Sequence, residues 1–107
     1  MILEVAILNI KPGLSEEFEA AFSQASAIIA SMAGYESHEL QKSLDTQNRY
    51  VLLVHWQTID DHIVGFRQSP QYAEWKALLH HFYDPFPTVE HFALLSSSSR
   101  NELAGHQ

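Results

Sequence analysis

Two stretches of the chain carry apolar side chains on both faces of a predicted β-strand. Residues 48–57 place Val51, Leu53 and His55 on one side and Leu52, Val54 and Trp56 on the other. Residues 2–10 (ILEVAILNI) are also apolar on both sides. A sheet with helices on one face and water on the other should alternate apolar and polar residues. Something other than the helices must therefore cover the second face of this sheet.

The first helix is predicted from apolar residues that recur at three- and four-residue steps between Phe18 and Met32. Ser15 is expected to be its N-cap, because a serine hydroxyl can accept a hydrogen bond from an unpaired backbone N–H group. Gly34 is expected at the C′ position, where a left-handed backbone commonly ends a helix. Together these signals predict a helix of four to five turns after the first strand.

A hairpin, a broken helix and a last strand complete the pattern. Residues 35–43 and 48–57 are predicted to form the hairpin. Thr58 and the pair Ser69-Pro70 are expected to begin two short helices, and residues 88–95 read as a strand. The order β-α-β-β-α-β is that of an α+β, ferredoxin-like sandwich. Right-handed crossovers then place the helices on one face of an antiparallel sheet.

The 107 residues fit one domain. We expect the domain to occupy residues 1–95 and the polar residues 96–107 to form a flexible C-terminal tail. No segment is left over to cover the second sheet face. We therefore expect a homodimer in which the sheets of two copies pack against each other. The alternative is a monomer with an unusually apolar exposed sheet.

The composition of the chain argues against several classes of function. Six Lys and Arg stand against thirteen Asp and Glu, a formal charge of −7, so we expect no binding to nucleic acid or to anionic membranes. The chain has no cysteine, which excludes thiolate chemistry and Fe–S clusters. The N-terminal residues lack a basic signal region, and their apolar run is shorter than the roughly 20 residues of a membrane span, so we expect a cytoplasmic protein. No phosphate-binding glycine loop or Ser-His-Asp arrangement is apparent.

Histidine is unusually frequent in this sequence, which contains seven. If the hairpin turns around Thr46-Gln47, His38 lies opposite His55 on one face, and His91 on the last strand could share that face. Imidazole can act as base or acid near neutral pH, so these three are the candidate catalytic residues. Alternatively, they are interface histidines that bond to each other, to Glu residues or to water. No metal site is expected, because adjacent His80 and His81 point about 100° apart on a helix.

A pocket is expected between the sheet and the second pair of helices. Its candidate lining residues are aromatic side chains, namely Trp56, Phe66, Tyr72, Trp75, Phe82 and Phe92. Arg67 could hold an anionic oxygen there, or could be a solvated cation at a helix end. Asn9 could add a hydrogen bond, or could be a polar residue near the end of its strand. Aromatic residues at helical spacing can equally belong to the core.

Residues 2–95 resemble the antibiotic biosynthesis monooxygenase-like family of the dimeric α+β barrel superfamily. The resemblance rests on five short segments, which are His55-Trp56, Asp61-His62, Phe66-Arg67-Gln68-Ser69-Pro70, Pro85-Phe86-Pro87 and Glu90-His91-Phe92. It implies a homodimer that oxidises hydroquinones with O2 and without a bound cofactor, or, in one branch of the family, a haem-degrading protein. It also implies a small aromatic molecule as the partner of the pocket.

The position-by-position match to this family is incomplete. The tryptophan that ends the third strand is kept as Trp56, but Leu52 and Lys76 replace an asparagine and an arginine of the quinol-oxidising relatives. The haem degraders need an asparagine, a tryptophan and a histidine where this chain has Ala6, Phe66 and Lys76. The leading hypothesis is a cofactor-independent monooxygenase. A non-catalytic barrel that binds a small hydrophobic ligand is the second, and an isomerase or lyase acting on a phenol is the third.

Overall fold

Four strands form one antiparallel sheet in the order β2-β3-β1-β4. The computed structural model describes residues 1–100. The strands are β1 (Ile2–Asn9), β2 (Tyr35–Lys42), β3 (Arg49–Trp56) and β4 (Val89–Ala93), and the two α-helices are α1 (Ser15–Ala30) and α2 (Pro70–Leu79). A π-helical segment, Asp61–Phe66, precedes α2, and a 3₁₀ turn, His80–Phe82, follows it. The predicted ferredoxin-like α+β fold, with helices on one face of an antiparallel sheet, is confirmed.

The core lies between the sheet and the helices that pack on one of its faces. Phe18, Phe22, Ala25 and Ile29 form the buried stripe of α1, as the three- and four-residue spacing predicts. On β3, the side chains at alternating positions from Tyr50 to Trp56 are buried beneath the helices. Burial of this apolar stripe against the sheet is the main stabilising term in a domain of this kind.

Both ends of α1 differ from the prediction. Leu14 is the N-cap residue and no side chain caps the helix. Ser15 is instead the first helical residue, and its hydroxyl donates to Asn48 Oδ1 over 2.9 Å. The helix ends at Ala30 with Ser31 as C-cap. Gly34 therefore lies beyond the C′ position, in the turn into β2, where it has a φ of +82°.

The predicted starts of the two later helical pieces are confirmed, because helical residues begin at position 59, directly after Thr58, and α2 begins at Pro70. The hydroxyl and backbone N–H of Thr58 both donate to Asp61 Oδ2, and the Asp61 N–H donates back to Thr58 Oγ1. This reciprocal pair is a capping box. At α2, Ser69 is the N-cap and its Oγ accepts from the Tyr72 N–H, with Pro70 as the first helical residue. These two caps fix the position of the chain that runs over β1.

The register of the hairpin was predicted wrongly by one residue. His38 pairs with Val54, and Ser37 pairs with His55, with an irregularity between Tyr35 and Ser37. Because side chains alternate between faces along a strand, a slip of one residue moves a side chain to the opposite face. His38 consequently faces the helices, whereas His55 lies on the other side of the sheet.

The face of the sheet opposite the helices, called here the open face, is apolar. It carries Leu3, Val5, Ile7, Leu53 and Phe92, of which Ile7 is 44% and Phe92 is 45% exposed. Within residues 1–100, every helix packs on the other face. The predicted tail is described only from residue 96 to residue 100, where all side chains are exposed, and residues 101–107 lie outside the described residues. No helix in the described part of the chain is long and apolar enough to cross a membrane.

Candidate functional site

A cavity of about 280 Å³ lies between β1 and β3 on one side and the π-helical segment, α2 and the following loop on the other. Its apolar walls come from alternating positions of the two strands and from aromatic residues of the helices. The polar side chains in its wall are Glu4, His62, Arg67, Tyr72, His80 and Tyr83. A cavity that combines apolar and aromatic walls with polar side chains can hold a small organic ligand.

Glu4 is a carboxyl group at a core position of β1. It is only 5% exposed and lies on the helix-facing side of β1, as does Ala6 two residues later. Trp56 Nε1 donates to Glu4 Oε1 over 2.9 Å. Burial raises the pKa of Glu4, while the hydrogen bond from Trp56 and the charge of Arg67 act in the opposite direction. Glu4 is therefore held in one orientation at the wall of the cavity.

His62 joins this carboxyl group to a second histidine. His62 Nε2 lies 3.3 Å from Glu4 Oε1, and His62 Nδ1 lies 2.8 Å from His91 Nε2. Burial, with smaller contributions from Arg67 and His91, lowers the pKa of His62 to about 3, so the ring is neutral near pH 7. A proton on Nε2 suits the nearby carboxylate, and Nδ1 then accepts a hydrogen bond from His91. His91, His62 and Glu4 thus form a row of contacting side chains, in that order.

Arg67 brings a positive charge to the cavity wall. It follows the π-helical segment directly, as that segment's C-cap, and its backbone N–H donates to the His62 carbonyl over 3.0 Å. Its charge lowers the pKa of Glu4 and of Tyr72 against the larger, opposite effect of their burial. Burial likewise raises the pKa of Tyr83. The cavity thus combines one guanidinium with phenols that stay protonated at neutral pH.

Four of the predicted pocket residues line this cavity, namely Phe66, Arg67, Tyr72 and Trp75. Trp56 lies behind the wall, where its indole stacks on His62 with a centroid distance of 5.5 Å and binds Glu4. Phe82 is buried in the core against Phe18, with ring centroids 5.8 Å apart. Trp56 and Phe82 therefore do not line the cavity, and a ligand-binding role for the predicted aromatic residues stays a prediction.

Asn9 and Phe92 lie away from the cavity, on the open face. Asn9 Oδ1 accepts from Arg49 Nε over 2.9 Å. Phe92 lines a separate pocket of about 370 Å³ with Leu3 and His55. The sheet separates Asn9 and Phe92 from Phe66 and Tyr72, because successive side chains of β1 and β4 point to opposite faces. A ligand-binding role for Asn9 and Phe92 stays a prediction.

The three histidines predicted to be catalytic do not meet. His38 Nδ1 lies 2.6 Å from the Tyr35 hydroxyl and its Nε2 lies 3.2 Å from Ser26 Oγ. His55 contacts Ser37 Oγ on the open face. His91 alone belongs to the row that reaches the cavity, through His62. A catalytic role for His38 and His55 stays a prediction, and the cavity does not include them.

Glu4, His62, His80 and Tyr83 are site residues that the sequence reasoning missed. One signal was present for Glu4, since it is the only ionisable residue in the otherwise apolar run ILEVAILNI. An ionisable side chain at a core position of a strand is rare unless it is paired or functional. Within residues 1–100, no group of three His, Asp or Glu side chains is arranged to hold a metal ion. Glu4, His62 and His91 form a row and do not surround a common point.

Comparison with known proteins agrees with this fold. The YczJ protein of Bacillus subtilis strain 168, itself uncharacterized, is 58% identical over 92 residues, which are 86% of this chain and 97% of that relative. A crystal structure from Bordetella bronchiseptica, assigned to the antibiotic biosynthesis monooxygenases, is 34% identical with a TM-score of 0.85, over 89% of this chain and 97% of that one.

SnoaB, a cofactor-independent oxygenase from Streptomyces nogalater, shares the fold at 24% identity, with a TM-score of 0.66 over 94% of this chain and 97% of that one. The sequence profile of the antibiotic biosynthesis monooxygenases matches residues 1–78. This match spans well over half of the chain and includes β1, β3, the π-helical segment and most of α2. The chain belongs to the antibiotic biosynthesis monooxygenase family.

Proposed function

We propose that this protein is a cofactor-independent monooxygenase that oxidises a small aromatic, quinol-like substrate with O2. The observation that carries the proposal is the cavity itself, whose lining combines aromatic walls, the buried carboxyl group of Glu4 and the exposed Arg67. The likeness to SnoaB, a cofactor-independent oxygenase, supports the proposal at the level of the fold. The substrate would lie between β1 and α2.

The chemistry places few demands on the protein. An electron-rich phenolate can pass an electron to O2 directly, so the site must deprotonate, orient and enclose the substrate. For a hydroquinone, a ring C–H becomes C–OH and the ring becomes a quinone. One oxygen atom enters the product, the other leaves as water, and the substrate supplies all the electrons. Arg67 would stabilise the negative charge on the phenolate and on reduced oxygen.

The size of the cavity selects the substrate class. Its volume of about 280 Å³ is just below the roughly 300 Å³ at which sites for drug-sized ligands begin. One or two fused rings fit such a space, whereas larger polycyclic quinols would need the wall to move. Leu52, a branched apolar side chain in that wall, contributes to this limit.

Oxygen uptake tests the proposal. Purified protein, treated with a chelator and free of cofactor absorption bands, is mixed with one-ring, two-ring and four-ring hydroquinones in an oxygen electrode. We expect uptake above the autoxidation rate with a one- or two-ring compound. Heat-denatured protein, assayed with the same compounds, is the control. No uptake above autoxidation with any member of the panel would overturn the proposal.

A non-catalytic barrel that binds a small hydrophobic ligand is the second candidate. It is favoured by Leu52, which puts an apolar side chain in the cavity wall where the quinol-oxidising relatives are expected to have an asparagine. Lys76, the counterpart of an arginine in those relatives, is exposed and lies over the ring of Tyr72 at 5.8 Å. Native mass spectrometry that finds a retained aromatic ligand without turnover would support this candidate.

We also propose that two copies associate through the open face. The support is the row of apolar side chains there, which includes Ile7 and Phe92 and would form an exposed patch in a monomer. We expect light scattering to give the mass of a dimer, and Ile7→Glu to shift it to a monomer while Glu74→Gln on the outer side of α2 leaves it unchanged. A monomeric wild-type protein would contradict this. The cytoplasmic location and the 1–95 domain boundary stay predictions.

A further inference from the structure

We propose that Glu4 is the base that takes the phenolic proton of the substrate, and that Trp56, His62 and His91 are positioning residues that orient its carboxylate. This assignment rests on the proposed function and deepens it, because it names the acidic hydroxyl that the substrate must carry. The proposal stands on the geometry of the Glu4 side chain in the cavity wall.

The two oxygens of Glu4 have different surroundings. The hydrogen bond from Trp56 and the shortest contact from His62 both fall on Oε1. None of the hydrogen bonds within residues 1–100 ends on Oε2. The carboxylate is thus fixed through one oxygen, and the other is available to a hydroxyl group in the cavity that Glu4 lines. A general base needs this kind of hydrogen-bond reach to the proton that it removes.

The neighbouring histidine is a poor candidate for the base. Both ring nitrogens of His62 have partners, Glu4 at Nε2 and His91 at Nδ1. A substrate proton would have to displace one of them. The stacking of His62 on Trp56 further fixes the ring beside the carboxyl group. His62 therefore acts through Glu4, and His91 acts through His62.

Electrostatics suit the assignment. Burial raises the pKa of Glu4, which makes it a stronger base than an exposed carboxylate. Titratable and charged groups surround Glu4 on every element packed against β1. They are His62 and Arg67 from the π-helical segment and its end, Tyr72 from α2, His80 from the 3₁₀ turn, Tyr83 from the following loop, and His91 from β4. Arg67, the cation among them, compensates the phenolate that forms.

The proton transfer is balanced without a co-reactant. The substrate O–H bond breaks, a Glu4 O–H bond forms at Oε2, and the negative charge moves from the carboxylate to the phenolate. No electron leaves the substrate in this step. Electron transfer to O2 follows, and the proton held by Glu4 can return to the reduced oxygen that departs as water. A substrate whose hydroxyl is methylated offers no proton to Glu4 and should not be turned over.

The kinetic test compares wild type, Glu4→Gln and Glu74→Gln by the dependence of kcat/KM on pH. We expect wild-type kcat/KM to fall as acid protonates Glu4. Glu4→Gln should lose about 100-fold or more at neutral pH, the usual size of a general-base contribution, and its residual rate should lack the acidic decline. The exposed Glu74→Gln variant should match wild type. An unchanged rate or an unchanged acidic limb in Glu4→Gln would overturn the assignment.

Trp56→Phe tests the positioning role. It removes the hydrogen bond that lowers the pKa of Glu4, so the acidic limb should move to higher pH while folding, followed by circular dichroism, is retained. If Trp56 had only a structural role, Trp56→Phe would change kcat/KM by the same factor at every pH and would leave the acidic limb of the profile at the same pH.

A binding assay separates this assignment from the proposed function. para-Nitrophenol, whose phenolate absorbs visible light, is titrated into the protein without any turnover. In wild type, transfer to Glu4 should give a phenolate band that stays constant over mildly acidic to neutral pH. In Glu4→Gln, the intensity of the phenolate band should rise and fall with the pH of the solution. If wild type shows no band, or one that follows pH as in the variant, Glu4 is not the base. If the band behaves as expected but no hydroquinone is oxidised, the monooxygenase proposal fails and the base assignment stands.

Discussion

The imidazole of His62 lies nearly parallel to the indole of Trp56, with an interplanar angle of 21° and ring centroids 5.5 Å apart. Both rings reach the same oxygen of Glu4, at 3.3 Å and 2.9 Å respectively. A buried carboxyl group in a sheet is costly unless its partners are preorganised. This stacked pair supplies that preorganisation, from β3 on one side and the π-helical segment on the other.

Acid should destabilise the protein through His62. Its pKa lies below its ordinary value, at about 3 in the folded state, so the folded protein binds fewer protons than the unfolded chain between pH 6.5 and pH 3. The stability that neutral His62 contributes is present above about pH 6.5 and is lost as the pH falls towards 3. Thermal unfolding of His62→Gln should show a flatter slope over this window. The exposed His81→Gln variant should keep the wild-type slope, and equal slopes in the two variants would refute this account.

Removal of the Arg67 charge should weaken turnover more than binding. Arg67→Met keeps an apolar side chain of similar length but removes the cation that faces the phenolate. We expect kcat to fall by about 100-fold, the size usual for the loss of one charge-stabilising donor. Arg100→Met, at an exposed position, is the matched control. A rise in KM with unchanged kcat would show that Arg67 only binds the substrate.

Enlargement of the cavity at Leu52 should change substrate choice. Leu52 is buried and lines the cavity, so Leu52→Ala should cost about 2–5 kcal/mol of stability while it admits larger rings. The measured quantity is the ratio of oxygen-uptake rates for three-ring and one-ring hydroquinones. We expect this ratio to rise in the variant. A constant ratio would mean that the substrate does not occupy the space beside Leu52.

Gly34 should tolerate substitution less well than Gly13. Both have a positive φ near +83°, but a Cβ at Gly34 would lie 2.1 Å from Asp61 Cγ, whereas a Cβ at Gly13 meets nothing within 4 Å. Gly13→Ala should show only the backbone cost of about 1 kcal/mol. Gly34→Ala should lose clearly more in urea unfolding, because it also disturbs the capping box at Asp61. Equal losses would show that the Asp61 side chain moves aside freely.

The sequence was sufficient for the fold because its signals are local and repeated. The spacing from Phe18 to Ile29, the cap at Ser69 and the apolar strands each determine an element within one short window. The site was harder to predict, because it depends on a hairpin register that shifted His38 to the other face by a single residue. Glu4 went unnoticed in a strand dominated by aliphatic residues. Its surroundings depend on the fold, which brings Trp56 and His62, more than fifty residues away, to the same oxygen.

The proposed reaction is the oxygenation of a small quinol in this cavity without a cofactor. The most direct measurement is the mass spectrum of the product formed from a two-ring hydroquinone under isotopically labelled O2, with cofactor-free wild-type protein and with Glu4→Gln. We expect one labelled oxygen atom in the wild-type product and only the autoxidation background in the variant. A wild-type product without label, or equal labelling in both proteins, would contradict it.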